Sequence, residues 1–230
     1  MANRPMVWLY CEYLQLDYQR ALALQRSVVK AKNEERLGED LLLLLEHPPV
    51  FTLGRRGGKE NLTVSEEFLQ DRSIPLVQIE RGGNITYHGP GQLVAYPIVA
   101  LSRMKLAVTD FVDGLESVMI RIASDFGVSA ARDARNRGAW VGDSKVGSIG
   151  INIRHGVAFH GFALNVDPDL TPFSWINPCG LAGVGITSLA KEAGPSVTMV
   201  KARKAALAHF GAVFGVELEK IDAGELEELV

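Results

Sequence analysis

The sequence predicts an α/β (α+β) protein, a single domain in which a mixed or antiparallel sheet is flanked by helices. Three observations carry this. The run Leu41–Leu45 is apolar without alternation, as in a short strand covered on both faces. Between Thr109 and Phe126, the residues Phe111, Leu115, Val118, Met119, Ile122 and Phe126 recur at helical spacing. The segments "AWVG", "SKVGSIGINI" and "VAFHGFALNV" then follow one another as short glycine-joined strands. Strands in succession favour a mixed or antiparallel sheet over a doubly wound one.

The elements follow in order. "VWLYCEYL" (7–14) reads as a strand. Asp17 is an N-cap for a helix running to about Leu37, with Tyr18, Ala21, Leu24, Val28 and Ala31 on one face and Gly38 as its stop. "PVFTLG", "IPLVQIE" and "GQLVAYPIVAL" are further strands, the last two flanking a glycine-rich stretch. Gly127 closes the 109–126 helix, and Val200–Phe214 is a final amphipathic helix. The tail from Glu217 is acidic and reads as a solvated surface element. Roughly ten strands and at least three helices are expected within the usual size of one large domain.

Composition excludes several classes. A net charge of −3 gives no basic surplus for general nucleic-acid binding. No apolar run reaches the roughly 18 residues of a membrane span. The N-terminus has no secretory hydrophobic stretch, and the 2 cysteines, Cys11 and Cys179, stand far apart, so a cytoplasmic protein without disulfides is expected. The histidines form no metal-binding spacing, and no metal site is expected. His155 and His160 differ in parity, so a continuous strand would turn them to opposite faces.

"RGGNITYHGPGQL" (81–93) concentrates glycines beside hydrogen-bonding side chains, either as a glycine-rich hairpin or as a backbone cradle for a ligand. "GRRGGKE" (54–60) is not a phosphate loop: three residues separate Gly54 from Gly58, and Glu60, not Ser or Thr, follows Lys59. Cys179 stands in a polar loop between Pro178 and Gly180, a poor place for a packed hydrophobe and a candidate for a nucleophile. Cys11, in an aromatic-rich strand, reads as core. A reactive thiolate needs a base or cation nearby, for which Lys145, His88 and His160 are candidates. Lys145 lies among small and apolar residues, at an exposed strand start or in an apolar pocket that would shift its proton affinity.

"EHPPVFTLGR", "RGGNITYHGPGQL", "KVGSIGINI", "FHGFALNV" and "INPCGL" occur in this order, and together they resemble the lipoyl(octanoyl) transferase family over most of the chain. The resemblance implies a biotin/lipoate protein ligase-type fold and octanoyl transfer from acyl carrier protein to a lysine of a lipoyl domain, with an acyl-thioester intermediate. It implies Cys179 as the nucleophile and Lys145 as the group that lowers its pKa. It implies three acyl-binding segments: Arg81, Gly82, Gly83, Asn84, Ile85, Thr86, Tyr87 and His88; Ser148, Ile149 and Gly150; and Gly161, Phe162 and Ala163. His88 has either a structural role or a proton-relay role. Ser144 stands where many members have alanine or glycine, a departure that touches no catalytic position. No cofactor is implied beyond the octanoyl-phosphopantetheine of the donor. The implied partners are acyl carrier protein and the lipoyl domains of 2-oxoacid dehydrogenase complexes and glycine cleavage H protein. A monomer is expected. Arg55, Arg56, Arg132, Arg135 and Arg137 are candidates for a rim that docks acidic partners. On the same fold, the alternatives are an ATP-dependent lipoate or biotin ligase and a non-catalytic binding module; a cysteine thioesterase is a further one.

Overall fold

The computed structural model describes residues 6–177 and 184–230. Its elements are β1 (Met6–Glu12), α1 (Tyr18–Asn33), β2 (Asp40–Leu45), β3 (Val50–Leu53), α2 (Glu66–Gln70), β4 (Leu76–Gln78), β5 (Ile85–His88), β6 (Gln92–Ala100), α3 (Leu101–Met104) and α4 (Val108–Asp125). Then come β7 (Gly138–Val141), β8 (Ser144–Arg154), β9 (Val157–Asn165), β10 (Gly185–Ile186), α5 (Leu189–Ala193), α6 (Met199–Phe214), β11 (Val216–Lys220) and α7 (Ala223–Leu229).

Among the described residues, the large mixed sheet runs β10-β8-β9-β6-β2-β1-β11, with β7 on the outer side of β8. β9, β6 and β2 are joined antiparallel, while β1 lies parallel to both β2 and β11. The sheet is covered on both sides, which explains the leucine run. Leu42 and Leu44 enter the core under α4 and α6, with Phe111, Met119 and Phe210. Leu41, Leu43 and Leu45 enter the opposite core under α1 and α7, with Val28 and Leu226. A second sheet, β4-β3-β5, has its own small core around Phe51, Tyr87 and Phe173.

Several expectations change in detail. The side chain of Asp17 caps α1 as expected, accepting from the N–H groups of Gln19 and Arg20. The helix stops before Gly38, because Glu35 takes the left-handed position (φ 56°) and the Arg36 N–H closes back on the Ala31 carbonyl at 2.9 Å. The acidic tail is not a solvated appendage. Val216–Lys220 pairs with Met6–Tyr10 as the parallel edge of the sheet, and α7, capped by Asp222, buries Leu226. Lastly, Ile85–His88 inside the glycine-rich stretch is itself a strand, paired with β3.

Candidate active site

A cleft opens where the β5 segment meets the β8–β9 hairpin, and α1 and β6 form its floor. Arg81, Gly83, Asn84, Ile85, Thr86 and His88 line it from one side, Ser148, Ile149 and Gly150 from β8, and Gly161, Phe162 and Ala163 from β9. Its empty space, counted to the open mouth, is about 560 Å³. The β8–β9 register explains the convergence of two segments: Ser148 pairs with Ala163, Ile149 with Phe162 and Gly150 with Gly161. The three sequence segments therefore share one cavity, with two exceptions. Tyr87 turns away, packing on Phe51 at 5.2 Å and Phe173 at 5.6 Å in the small-sheet core. Gly82 lines an adjoining groove instead. Strand alternation accounts for Tyr87, since Thr86 and His88 point the other way.

Arg81 is buried, and its guanidinium donates to the Thr52 carbonyl (2.8 Å), the Thr52 hydroxyl (2.7 Å) and the Gly82 carbonyl (3.0 Å). These bonds tie the loop to β3. At Gly150, a Cβ would come within 2.9 Å of Arg81 Cδ and 3.0 Å of the Gly82 carbonyl oxygen. Glycine there lets protein pack on protein, which is a different task from clearing space for a ligand.

Lys145 is not at an exposed strand start; it is 2 % exposed. Its Nζ lies 5.2 Å from the centre of the Trp140 ring, and Arg135 covers the same ring at 4.6 Å. The lysine stem passes over Gly138, where a Cβ would stand 2.7 Å from Lys145 Cε. Gly138 also has φ 139°, which excludes most other residues, and its N–H donates to the buried carboxylate of Glu116 at 2.9 Å. Glu116 on α4 thus holds the wall beside the lysine. Cys179 lies outside the described residues, while Cys11 is buried in the core as expected.

Behind His88 runs a chain of hydrogen bonds. The Thr187 carbonyl can only accept, so Asn165 gives it Nδ2–H (2.9 Å) and offers Oδ1 to Gln92 Nε2 (3.0 Å). Gln92 Oε1 then accepts from His88 Nδ1–H at 3.1 Å, which makes His88 the Nδ1–H tautomer with an acceptor at Nε2. The far end of the chain touches the lysine strand: the Thr187 N–H donates to the Lys145 carbonyl at 3.0 Å. Burial, reinforced by the neighbouring His47 imidazole and the Arg81 charge, holds the His88 pKa well below its ordinary value, so the ring is neutral. His47 forms a second chain, donating Nδ1–H to the Leu16 carbonyl (2.7 Å) and accepting from the Tyr96 hydroxyl (2.8 Å). Burial lowers its pKa to about 4.

Sequence reasoning missed Tyr18, Tyr96 and Asn136 as cleft residues, and treated His160 only as a reserve base. Tyr18 reads as one more apolar helix position, and nothing local in the sequence marks it otherwise. His160 has a signal in Pro97. The flanking pairs Ala95–Phe162 and Val99–Ala158 put Pro97 opposite His160, and proline has no N–H to give the ladder. His160 leaves strand geometry (φ 59°), its N–H donating to Gln25 Oε1 at 2.8 Å. The parity expectation therefore does not apply to it, and His155 sits in the hairpin turn rather than on a strand (φ 50°).

The five arginines divide. Arg132 and Arg137 pair with Glu116 at 2.9 Å each, and Arg135 with Asp133 (2.8 Å) and Asp143 (3.1 Å). Arg55 and Arg56 are exposed and form no ion pair among the described residues. They line the groove that continues from the cleft mouth through Gly83, Asn84, Asn136, Ile149 and Gly150.

Residues 17–211 match the Lipoyl protein ligase A/B catalytic domain family. An octanoyltransferase of Desulfotalea psychrophila is 54% identical over 201 residues, 86% of this chain and 90% of that protein. One of Caldicellulosiruptor bescii is 43% identical over 222 residues, 96% of this chain and 97% of that protein. A crystal structure of lipoate-protein ligase A bound with ATP superposes with a TM-score of 0.77 at 14% identity, covering 98% of this chain and 92% of that one. At that identity, the likeness is one of fold, and the fold is the ligase type expected from sequence.

Proposed function

The chain belongs to the octanoyltransferase family of lipoyl protein ligase A/B catalytic domains, and from that premise we propose that it moves an octanoyl group from the phosphopantetheine thioester of acyl carrier protein to a lysine of a lipoyl domain, through a thioester on Cys179. Lipoyl domains of 2-oxoacid dehydrogenase complexes and glycine cleavage H protein are the acceptors in this reading. The observation that supports it best is the meeting of the 81–88, 148–150 and 161–163 segments in one cleft, with Lys145 buried three residues before Ser148 on the same strand. The role of Cys179 rests on its sequence setting alone.

The Cys179 thiolate attacks the thioester carbonyl, a new carbon–sulfur bond forms as the bond to the carrier sulfur breaks, and the departing carrier thiolate takes a proton from the Lys145 ammonium. The lipoyl-domain amine then attacks the new thioester, the amide forms, and the cysteine sulfur departs. Lys145 stabilises the thiolate as ammonium in the first half and, once neutral, accepts the amine proton in the second. Thioester exchange is close to balanced and amide formation runs downhill, so the scheme needs no nucleotide. It is a ping-pong scheme. His88, neutral and fixed by Gln92, serves the wall and does not donate a proton at neutral pH.

Incubation with octanoyl carrier protein should add one octanoyl mass to the Cys179 peptide, and addition of a lipoyl domain should discharge it. Label on Cys11 would overturn the assignment. Transfer that requires free octanoate and ATP would make the chain a ligase. Lys145→Met should slow transfer by roughly 10²–10⁴-fold, the usual range for a lost acid–base group, with the fold retained by circular dichroism.

A further inference from the structure

His160 is 1 % exposed and lines the cleft, and both its ring nitrogens are buried with no hydrogen-bond partner among the described residues. The contrast with His47, bonded at both nitrogens, is direct. Strand alternation from Ala158 and Phe162, which face α4 and α6, would turn His160 to that side as well. Its left-handed backbone instead brings the ring to the α1 side, stacked on Phe159 at 4.7 Å and edge-on to Tyr96 at 6.3 Å. Strain of this kind is retained where the surroundings enforce it, and it clusters at ligand sites. Buried imidazole nitrogens are nearly always bonded, so the partner is to be sought in what the cleft admits.

Position narrows the role. Along the β8–β9 pair, the order from the Lys145 end is Ser148 with Ala163, Ile149 with Phe162, Gly150 with Gly161, and Ile151 with His160. Three steps of about 3.3 Å separate the first pair from the last, roughly 10 Å. An extended eight-carbon chain, with bonds of about 1.5 Å in a zigzag, spans roughly 9 Å.

We propose that His160 is the specificity-determining end stop of the cleft, a polar group that an eight-carbon chain approaches and that longer saturated chains are rejected by. A hydrogen-bonding group at that end satisfies the imidazole. A ninth or tenth carbon would press against its nitrogens and leave them unpaired, with the full desolvation penalty. This rests on the octanoyl-transfer reading above.

The test compares kcat/KM for carrier-protein donors bearing octanoyl, nonanoyl, decanoyl and 8-hydroxyoctanoyl chains. Octanoyl transfer by the wild type is the control on which the underlying reading stands or falls. Given that control, 8-hydroxyoctanoyl, which has as many heavy atoms as nonanoyl, should be the better donor by about tenfold, because its hydroxyl meets the imidazole. His160→Met should raise the decanoyl-to-octanoyl ratio about tenfold, whereas His160→Gln, still polar, should leave it near the wild-type value. Equal use of nonanoyl and 8-hydroxyoctanoyl by the wild type overturns the proposal without any variant having to fold. An unchanged ratio in a folded His160→Met overturns it too.

Discussion

His88 and His160 face one cleft from different strands, and their surroundings differ in kind. His88 ends a chain through Gln92, Asn165 and Thr187 that reaches the backbone of Lys145. His160 is buried as deeply, yet its nitrogens meet no partner among the described residues. A satisfied network specifies one geometry; an unsatisfied group is a cost that a bound molecule can relieve. The first pattern marks a positioning device, and the second marks a surface that reads the ligand.

The largest way to break that contrast is acid. Burial holds both His47 and His160 at about 4, against about 6.5 in an unfolded chain. Between those values the unfolded state binds more protons, so stability is fully present above pH 6.5 and is lost as pH falls toward 4. Each ring forfeits roughly 3 kcal/mol over the window, a large share of an ordinary domain's 5–15 kcal/mol. Urea midpoints at pH 7, 6, 5 and 4.5 should fall steadily. His160→Met should remove about 1.4 kcal/mol per pH unit from that slope; an unaltered slope would mean that His160 is not buried as a neutral ring.

Cutting the satisfied side is the next largest change. Asn165→Leu leaves Gln92 Nε2 and the Thr187 carbonyl without this partner, and should cost roughly 2–4 kcal/mol in denaturant unfolding. Because the chain ends on Lys145, kcat should fall severalfold while KM for the donor stays close to normal. Lost stability with kcat intact would confine the chain to holding the fold.

The smallest effect is expected at the mouth. Reversing Arg55 and Arg56 to Glu should lower kcat/KM toward an acidic carrier by up to about tenfold at low salt and flatten its salt dependence. Arg135, already engaged by Asp133 and Asp143, should leave the salt dependence unchanged when altered to Gln. Identical responses from the two sets would erase the distinction between free and neutralised arginines.

Much of this molecule was legible in its residues. The uninterrupted Leu41–Leu45 run announced a strand buried on both faces, and Phe111 to Phe126 announced α4, because burial imposes a period that survives in sequence. The order of the glycine-rich, lysine, FHGF and NPCG segments pointed to the family that the relatives bear out. Val216–Lys220 alternates apolar and charged residues, a strand signal that its acidity concealed. What local pattern cannot encode is the identity of a distant neighbour. Lys145 is buried because Gly138, pinned by Glu116 from another element, opens a passage for its stem. Arg132 and Arg137 are neutralised because α4 brings Glu116 to them. His160 leaves strand geometry where Pro97, 63 positions earlier, falls opposite it, and Gln25 from α1 holds its N–H. Short-range periodicity determined the elements and the motifs; contacts between residues far apart in the chain decided which of the motif's side chains face the cleft and which polar groups there go unanswered.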